Sequence, residues 1–460
     1  MLSFLRCAGC GWTPPAAEPY PFRCARAARA AGNSGDVDHV LVRVLDTAAL
    51  RFPSGSQPDP FARYRSLMHA YHLAMDAGLD DEEYLQLIDA LERSVAAVDG
   101  HGFAVTPLHR DTLLSDRLGF SPAGGVWVKD ETGNVSGSHK GRHLMGLLIY
   151  LEVAERLGLH ATAGRATLAI ASCGNAALAA AVVARAGGRR LRVFVPVDAQ
   201  AGVVARLRAL GSDVVACPRE PGVVGDPAYL RLRQELAAGA VPFTCQGNEN
   251  GLAIEGGQTI AYELASQMAG VPLDHIVVQV GGGALASACA AGLREAAELG
   301  AIGREPRLHT VQTTGAHPLE RAYHRVRAML AAAGRAGQER GDGTRPRRAD
   351  VERVLATAAR HRSAYMWPWE SEPKSIATGI LDDETYDWRA VVGAMLTTGG
   401  QPVVVAEDRL AEASELGAAT GIPADPTATA GLAGLLDLRQ AGVVGADERV
   451  AVLFTGVRRG

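Results

Sequence analysis

The chain has 460 residues, of which 47% are hydrophobic, 21% charged and 5% aromatic. That length accommodates two or three domains with a core that needs no disulfide staples, and the apolar content excludes a chain that is mainly disordered. A formal net charge of −4, from 46 basic and 50 acidic residues, gives no electrostatic basis for a general nucleic-acid or membrane-surface binder.

Residues 1–60 read as an N-terminal arm with three cysteines, several prolines and little apolar periodicity. No basic region followed by a sufficient apolar stretch opens the chain, so no signal peptide is expected and the protein is predicted to be cytoplasmic. Cys7-x-x-Cys10 and then Cys24 supply three thiolates, an incomplete zinc set that His39 is available to complete. Cys173, Cys217, Cys245 and Cys289 add no even framework, which points to a reducing compartment.

Residues 61–98 read as helical, with Tyr64, Leu67, Met68 and Tyr71 at helical spacing. From about residue 105 onward, short apolar runs alternate with longer amphipathic ones. The runs Val126–Lys129, Ala166–Ala171, Leu191–Val195, Ile276–Val280, Leu308–Gln312, Val403–Ala406 and Val450–Phe454 are predicted strands. Between them, Gly141–Leu157 is a predicted helix with Leu144, Leu147, Leu148 and Leu151 on one face. The alternation predicts an α/β fold with parallel-rich sheets flanked by helices. Thr167–Ala184 and Ile276–Leu293 are uncharged and near membrane-spanning length. Each is broken, by Ser172-Cys173-Gly174-Asn175 or by Gly281-Gly282-Gly283, and so reads as strand, tight turn and helix. Gly334–Arg348 is glycine-rich and basic, and reads as an insertion with a solvated loop. The aromatic run Tyr365-Met366-Trp367-Pro368-Trp369 reads as a core or interface plug.

Lysine chemistry has only three candidates, Lys129, Lys140 and Lys374, because every other basic residue is arginine. Lys140 lies on a polar, glycine-containing turn, Lys129–His143, just before a strongly apolar helix. Two further turns follow strands. Ser172-Cys173-Gly174-Asn175 presents short polar side chains and free N–H groups at a helix start, which favours an anion such as a carboxylate. Gly281-Gly282-Gly283-Ala284-Leu285 can wrap a phosphate, since glycines lack the Cβ that would block it. Gly281, Gly283 and Ala286 also satisfy a dinucleotide fingerprint. That fingerprint calls for an acidic residue at the end of the next strand, which ends near Gln312 with no acid beside it.

Five motifs, KDETGNVSGSHK, ASCGNAALA, EGGQTIAYE, VVQVGGGALA and VLFTG, occur in the order found in fold-type-II pyridoxal-phosphate enzymes. Over roughly residues 105–460 the chain resembles threonine synthases and serine/threonine ammonia-lyases, and it is also similar to the tryptophan synthase β subunit. The resemblance implies two α/β domains with pyridoxal 5'-phosphate in the cleft between them. It divides the chain into residues 61–159 as a helical segment and first part of the large domain, 160–260 as the small domain, and 261–460 as the remainder. By position, Lys140 matches the Schiff-base lysine and Asn175 the partner of the cofactor's phenolic oxygen. Ser172, Cys173 and Gly174 match the substrate-carboxylate loop, and Gly281, Gly282, Gly283, Ala284 and Leu285 the phosphate cradle. Thr455 matches the hydroxyl partner of the pyridine nitrogen, which favours elimination or replacement over transamination.

Two departures bear on substrate. Ala253 stands where the threonine synthases carry a phosphate-gripping arginine, and Lys140-Gly141-Arg142 replaces Lys-Asp-Arg. The first counts against a phosphorylated substrate. The expected activity is β-elimination from serine or threonine to a 2-oxo acid and ammonia, with threonine synthase or another replacement enzyme as the alternative. An inactive cofactor-binding scaffold is the non-enzymatic alternative, which retention of Lys140 opposes. The family resemblance implies a homodimer. No nucleic-acid or membrane partner is expected, nor a regulatory domain after Thr455.

Overall fold

Strands form here where apolar runs are covered on both faces. In His275–Gln279 every residue is buried, as a parallel strand between helical layers requires. The structure is a computed structural model that describes residues 2–459 except 16–17, 28–35, 160–164, 220–222, 224 and 336–344. Its strands are β1 (Ser3–Cys7), β2 (Leu41–Leu45), β3 (Leu108–Asp111), β4 (Gly125–Asp130), β5 (Leu168–Ala171), β6 (Leu191–Pro196), β7 (Asp213–Cys217), β8 (Val241–Pro242), β9 (His275–Gln279), β10 (Arg307–Thr313), β11 (Pro402–Val405) and β12 (Arg449–Phe454).

Three sheets result. One has six strands in the order β11-β10-β9-β12-β4-β3, and another has four in the order β7-β6-β5-β8. The four-stranded sheet is parallel throughout, and the six-stranded one is parallel except for the edge pair β3–β4. The arm contributes the third sheet, an antiparallel ribbon of β1 and β2 with Cys7 opposite Leu41. The fold is α/β with helix-flanked, parallel-rich sheets, as the alternation of runs implies.

All seven predicted strands are present within a residue or two of their expected ends. β1, β2, β3, β7 and β8 are additional. They are short; β1, β2, β3 and β7 interleave arginine, aspartate or cysteine with their apolar residues, and β8 is only Val241-Pro242, so no alternation stands out. The stretch 61–98 divides into helices Pro60–Arg63, His69–Asp76 and Asp81–Asp99. Gly78 at φ +96° breaks the chain there, and Asp80 with Glu83 forms a capping box that restarts it. The expected insertion at 334–348 lies largely outside the described residues. Helix Pro318–Arg335 precedes that gap, and helix Arg348–Ala358 follows it. The aromatic run is core only in part. Met366 is buried and Tyr365 stacks on Trp388, while Trp367 and Trp369 sandwich the Arg321 guanidinium at 4.0 and 4.7 Å. Among the described residues no helix is long and apolar enough to cross a membrane. Both uncharged stretches are strand, turn and helix.

Candidate active site

Three turns leave the carboxyl ends of parallel strands β5, β9 and β12, the end at which open α/β sheets assemble ligand sites. The turn after β4 completes the group. It is held in an unusual backbone: Ser136 at φ +60° is the sole non-glycine residue with positive φ among those described, and Gly137 follows at φ +69°. Ser136 N–H donates to Asp99 Oδ2 (2.7 Å), and its carbonyl accepts from Arg459 Nη2 (2.6 Å). Such a cost in backbone strain persists where neighbours fix the chain. The turn delivers Ser138, His139 and Lys140, the last being the first residue of helix Lys140–Arg156.

Lys140 is half-buried, and its neighbours link it to the end of β12. Ser138 bridges Gly456, and His139 N–H donates to the Thr455 carbonyl at 3.1 Å. The His139 Nδ1–H donates to the same carbonyl at 3.1 Å, and His143 Nδ1–H donates to the Ala253 carbonyl at 2.7 Å. Burial first, and the Lys140 ammonium second, depress both imidazoles, His143 to about 3. Both rings are therefore neutral near pH 7, each with a bare Nε2 that finds no partner, and Ser138 Oγ is likewise unpartnered. Buried unpaired polar atoms around one amine mark a place prepared for a polar guest.

Thr455 is buried, and its Oγ1 accepts from Gln279 Nε2 at 2.8 Å. The same nitrogen reaches the carbonyls of Ala428 (2.9 Å) and Leu453 (3.1 Å). With its oxygen occupied by that bond, the Thr455 hydroxyl retains a proton to give. Asn175 opens helix Asn175–Ala186, and its Oδ1 accepts from Arg459 Nη2 at 3.0 Å. A Cβ on Gly456 would lie 2.7 Å from Asn175 Nδ2, so Asn175 abuts the residue after Thr455. The structure thus joins the surroundings of Lys140, Thr455 and Asn175. Ser172, Cys173 and Gly174 lead into Asn175, with Cys173 and Gly174 exposed and Gly174 N–H 3.4 Å from Ser172 Oγ.

The glycine turn packs on a segment that no motif singled out, Ile380–Asp387. A Cβ on Gly281 would collide with the Asp382 carboxylate, and one on Gly282 would lie 2.8 Å from the Tyr386 ring. Gly283, at φ +98°, precedes helix Ala284–Glu298. Thr385 Oγ1 donates to the Gly281 carbonyl, and Asp387 N–H to that of Gly282, both at 3.0 Å. The Asp382 carboxylate packs against the turn beside Gly281 and Gly282. Asp382 is raised to about 6 by burial, which outweighs the Lys140 ammonium; Asp387 reaches about 7, through burial and then the charge of Asp38.

The other two lysines are placed otherwise. Lys129 is fully buried, 2.6 Å from Glu263, and Lys374 is exposed beside Glu372 at 3.7 Å. Arg142, also fully buried, pairs with Glu131 at 2.8 Å and Glu263 at 2.5 Å. A Cβ on Gly141 would lie 3.0 Å from the Val135 carbonyl oxygen and 3.2 Å from the Phe103 ring, so a larger side chain there would require these neighbours to shift. Sequence reasoning passed over Gln279, Asp382, Thr385, Asp387 and Arg459. Gln279, a polar residue ending an otherwise apolar strand, was the one with a readable signal. In the arm, the structure brings Cys7, Cys10, Cys24 and His39 together, their ligand atoms all within 4.8 Å of one another.

A family model described as "Pyridoxal-phosphate dependent enzyme" matches residues 101–456. The chain is 26% identical over 353 residues to a threonine synthase of Methanocaldococcus jannaschii, covering 76% of this chain and 74% of that one. It is 30% identical over 226 residues to a serine dehydratase-like protein of Mus musculus, covering 48% and 62%. Among solved structures, the processed form of threonine deaminase isoform 2 from Solanum lycopersicum superposes with a TM-score of 0.56 at 18% identity, covering 83% of this chain and 86% of that one. That last likeness is one of fold.

Proposed function

We propose, from the premise that the chain belongs to the pyridoxal-phosphate-dependent enzymes, that it eliminates water from a small β-hydroxy amino acid such as serine or threonine, the resulting enamine then being hydrolysed by water to a 2-oxo acid and ammonia. The residues fit the cofactor. A Cβ on Gly281, Gly282 or Gly283 would run into the facing segment, so only bare backbone fits this turn at the start of helix Ala284–Glu298, which suits a phosphate. The Thr455 hydroxyl has a proton to offer, and Lys140 has an amine beside unpartnered polar atoms. Pyridoxal phosphate, when bound, supplies an electron sink for the charge left by Cα deprotonation.

In this reading Lys140 holds the cofactor and, as a free amine, takes the Cα proton. Asn175 bonds the phenolic oxygen, and Thr455, oriented by Gln279, faces the ring nitrogen. A hydroxyl there, unlike a carboxylate, leaves that nitrogen neutral and favours prompt loss of the β leaving group. Gly281, Gly282, Gly283, Ala284 and Leu285 cradle the phosphate. Ser172, Cys173 and Gly174, at an exposed helix start, receive the substrate carboxylate. The working unit is a homodimer, by the family resemblance.

The observation that carries elimination over use of a phosphorylated substrate is at Ala253. That residue is fully buried, and the neutral His143 lies against its carbonyl, so no fixed cation projects from this helix start. A threonine synthase-type replacement is the second reading. It is favoured by the threonine synthase relative and by Arg219 and Arg233, which line a cavity of about 950 Å³ next to Asp383 and Tyr386. Incubation of the cofactor-loaded protein with L-serine, L-threonine and phosphohomoserine separates the two. Ammonia and a 2-oxo acid from either of the first two are expected. Phosphate release with threonine formation from the third, and no ammonia from the others, would overturn the proposal in favour of the second reading.

A further inference from the structure

Nothing in the proposed reaction uses the four potential ligands in the arm. Cys7 and Cys10 lie on a knuckle that begins at the last residue of β1. Cys7 N–H donates to the Trp12 carbonyl (2.6 Å), and Gly11 N–H to that of Cys7 (2.9 Å). Gly11 takes the left-handed φ of +75° that such a turn needs, and Gly9 approaches the Asp38 carbonyl so closely that a Cβ would collide with it. His39 lies two residues before Leu41, the first residue of β2, which pairs with Cys7. Cys24 comes from the following loop.

The spacing is that of a tetrahedral metal site. Zinc–sulfur bonds of about 2.3 Å and zinc–nitrogen bonds of about 2.0–2.1 Å put the edges of a tetrahedron at roughly 3.5–3.8 Å. Cys7 Sγ lies 3.6 Å from His39 Nδ1, and Cys10 Sγ lies 3.6 Å from Cys24 Sγ. A disulfide would need sulfurs about 2.0 Å apart. Cys7 and Cys24 are buried, whereas Cys10 and His39 are half-exposed, which leaves a path for an ion to enter.

We propose that Cys7, Cys10, Cys24 and His39 form a closed, four-ligand structural zinc site that holds the amino-terminal arm and its ribbon together. Four protein ligands leave no open position, so the metal has a folding role and no part in the reaction. What it secures is visible in β2. Arg43 is buried, 3.2 Å from Glu255 and 2.8 Å from Glu295. Those acids belong to the helices Ala253–Gln267 and Ala284–Glu298, the second of which begins at the glycine turn.

Full-length protein purified without chelator is expected to contain about one zinc per chain by elemental mass spectrometry. Cys10→Ser combined with Cys24→Ser should reduce this to background, whereas His39→Cys, with four thiolates, should retain it. If the double variant does not fold, wild type titrated with an organomercurial should release its zinc in step with modification of Cys7, Cys10 and Cys24. Absence of zinc after growth in zinc-supplemented medium, or zinc undiminished in the double variant, would overturn the proposal. A Cys10–Cys24 disulfide in the native protein would do the same. None of these readings depends on which reaction the cleft performs.

Discussion

Lys129 places its ammonium 2.6 Å from Glu263 and 2.8 Å from Gln267 Oε1, with no exposed surface, whereas the Lys374 side chain is 81% exposed. Only Lys140 combines partial burial with open polar neighbours, so the same residue type has three fates set by surroundings. Lys129→Met breaks a buried charge cluster from one side and should lower stability by roughly 3–5 kcal/mol in chemical denaturation, without removing a cofactor adduct at Lys140. A change under about 1 kcal/mol, the scale of a surface pair, would show the cluster to be unimportant. Glu92 offers a test by pH. Burial, and then the charge of Asp59, raise its carboxyl from 4.5 to about 8, so the folded protein holds a proton that the unfolded chain releases. Its contribution is complete below the unfolded value and is lost as pH rises towards 8. Relative to Glu92→Gln, wild type should lose up to ~1.4 kcal/mol for each pH unit across that window. Parallel stability profiles for the two proteins would contradict the assignment.

At the scale of elements, strand, turn and helix carry the site, and those units were legible. β5, β9 and β12 each show an apolar run that stops at small or polar residues. The facing segment Ile380–Asp387 was not legible, because it bears no periodicity or motif. It reaches the glycine turn only through contacts that span about a hundred residues of chain, such as Thr385 Oγ1 to the Gly281 carbonyl. Its Asp382 carboxylate packs against Gly281, and a phosphate arriving at the turn meets a group of like charge. Asp382→Asn should therefore tighten pyridoxal-phosphate binding several-fold, measured by equilibrium dialysis. Since Asp382 titrates at about 6, the difference should be present at pH 8 and vanish as pH falls below 6. Equal affinity at pH 8 would show that the carboxylate leaves without cost.

For the molecule as a whole, the α/β class and the places of the main strands along the chain followed from composition and from the alternation of runs. The arm did not yield its ribbon. β1 buries alternate residues, Ser3, Leu5 and Cys7, but five residues ending in arginine and cysteine give too short a pattern to read. Nor could spacing reveal that Arg43 ties this ribbon to Glu255 and Glu295, an arrangement fixed by tertiary packing. The roles given to Asn175, Thr455 and the glycine turn meet at one residue, Lys140, and so does the most direct test. Cofactor-loaded wild type should show a visible band that borohydride abolishes, and peptide mass spectrometry should then find the reduced pyridoxyl group on Lys140. Lys140→Ala should show no lysine-linked adduct. An adduct on Lys129 or Lys374, or none on any lysine of the loaded protein, would contradict the account.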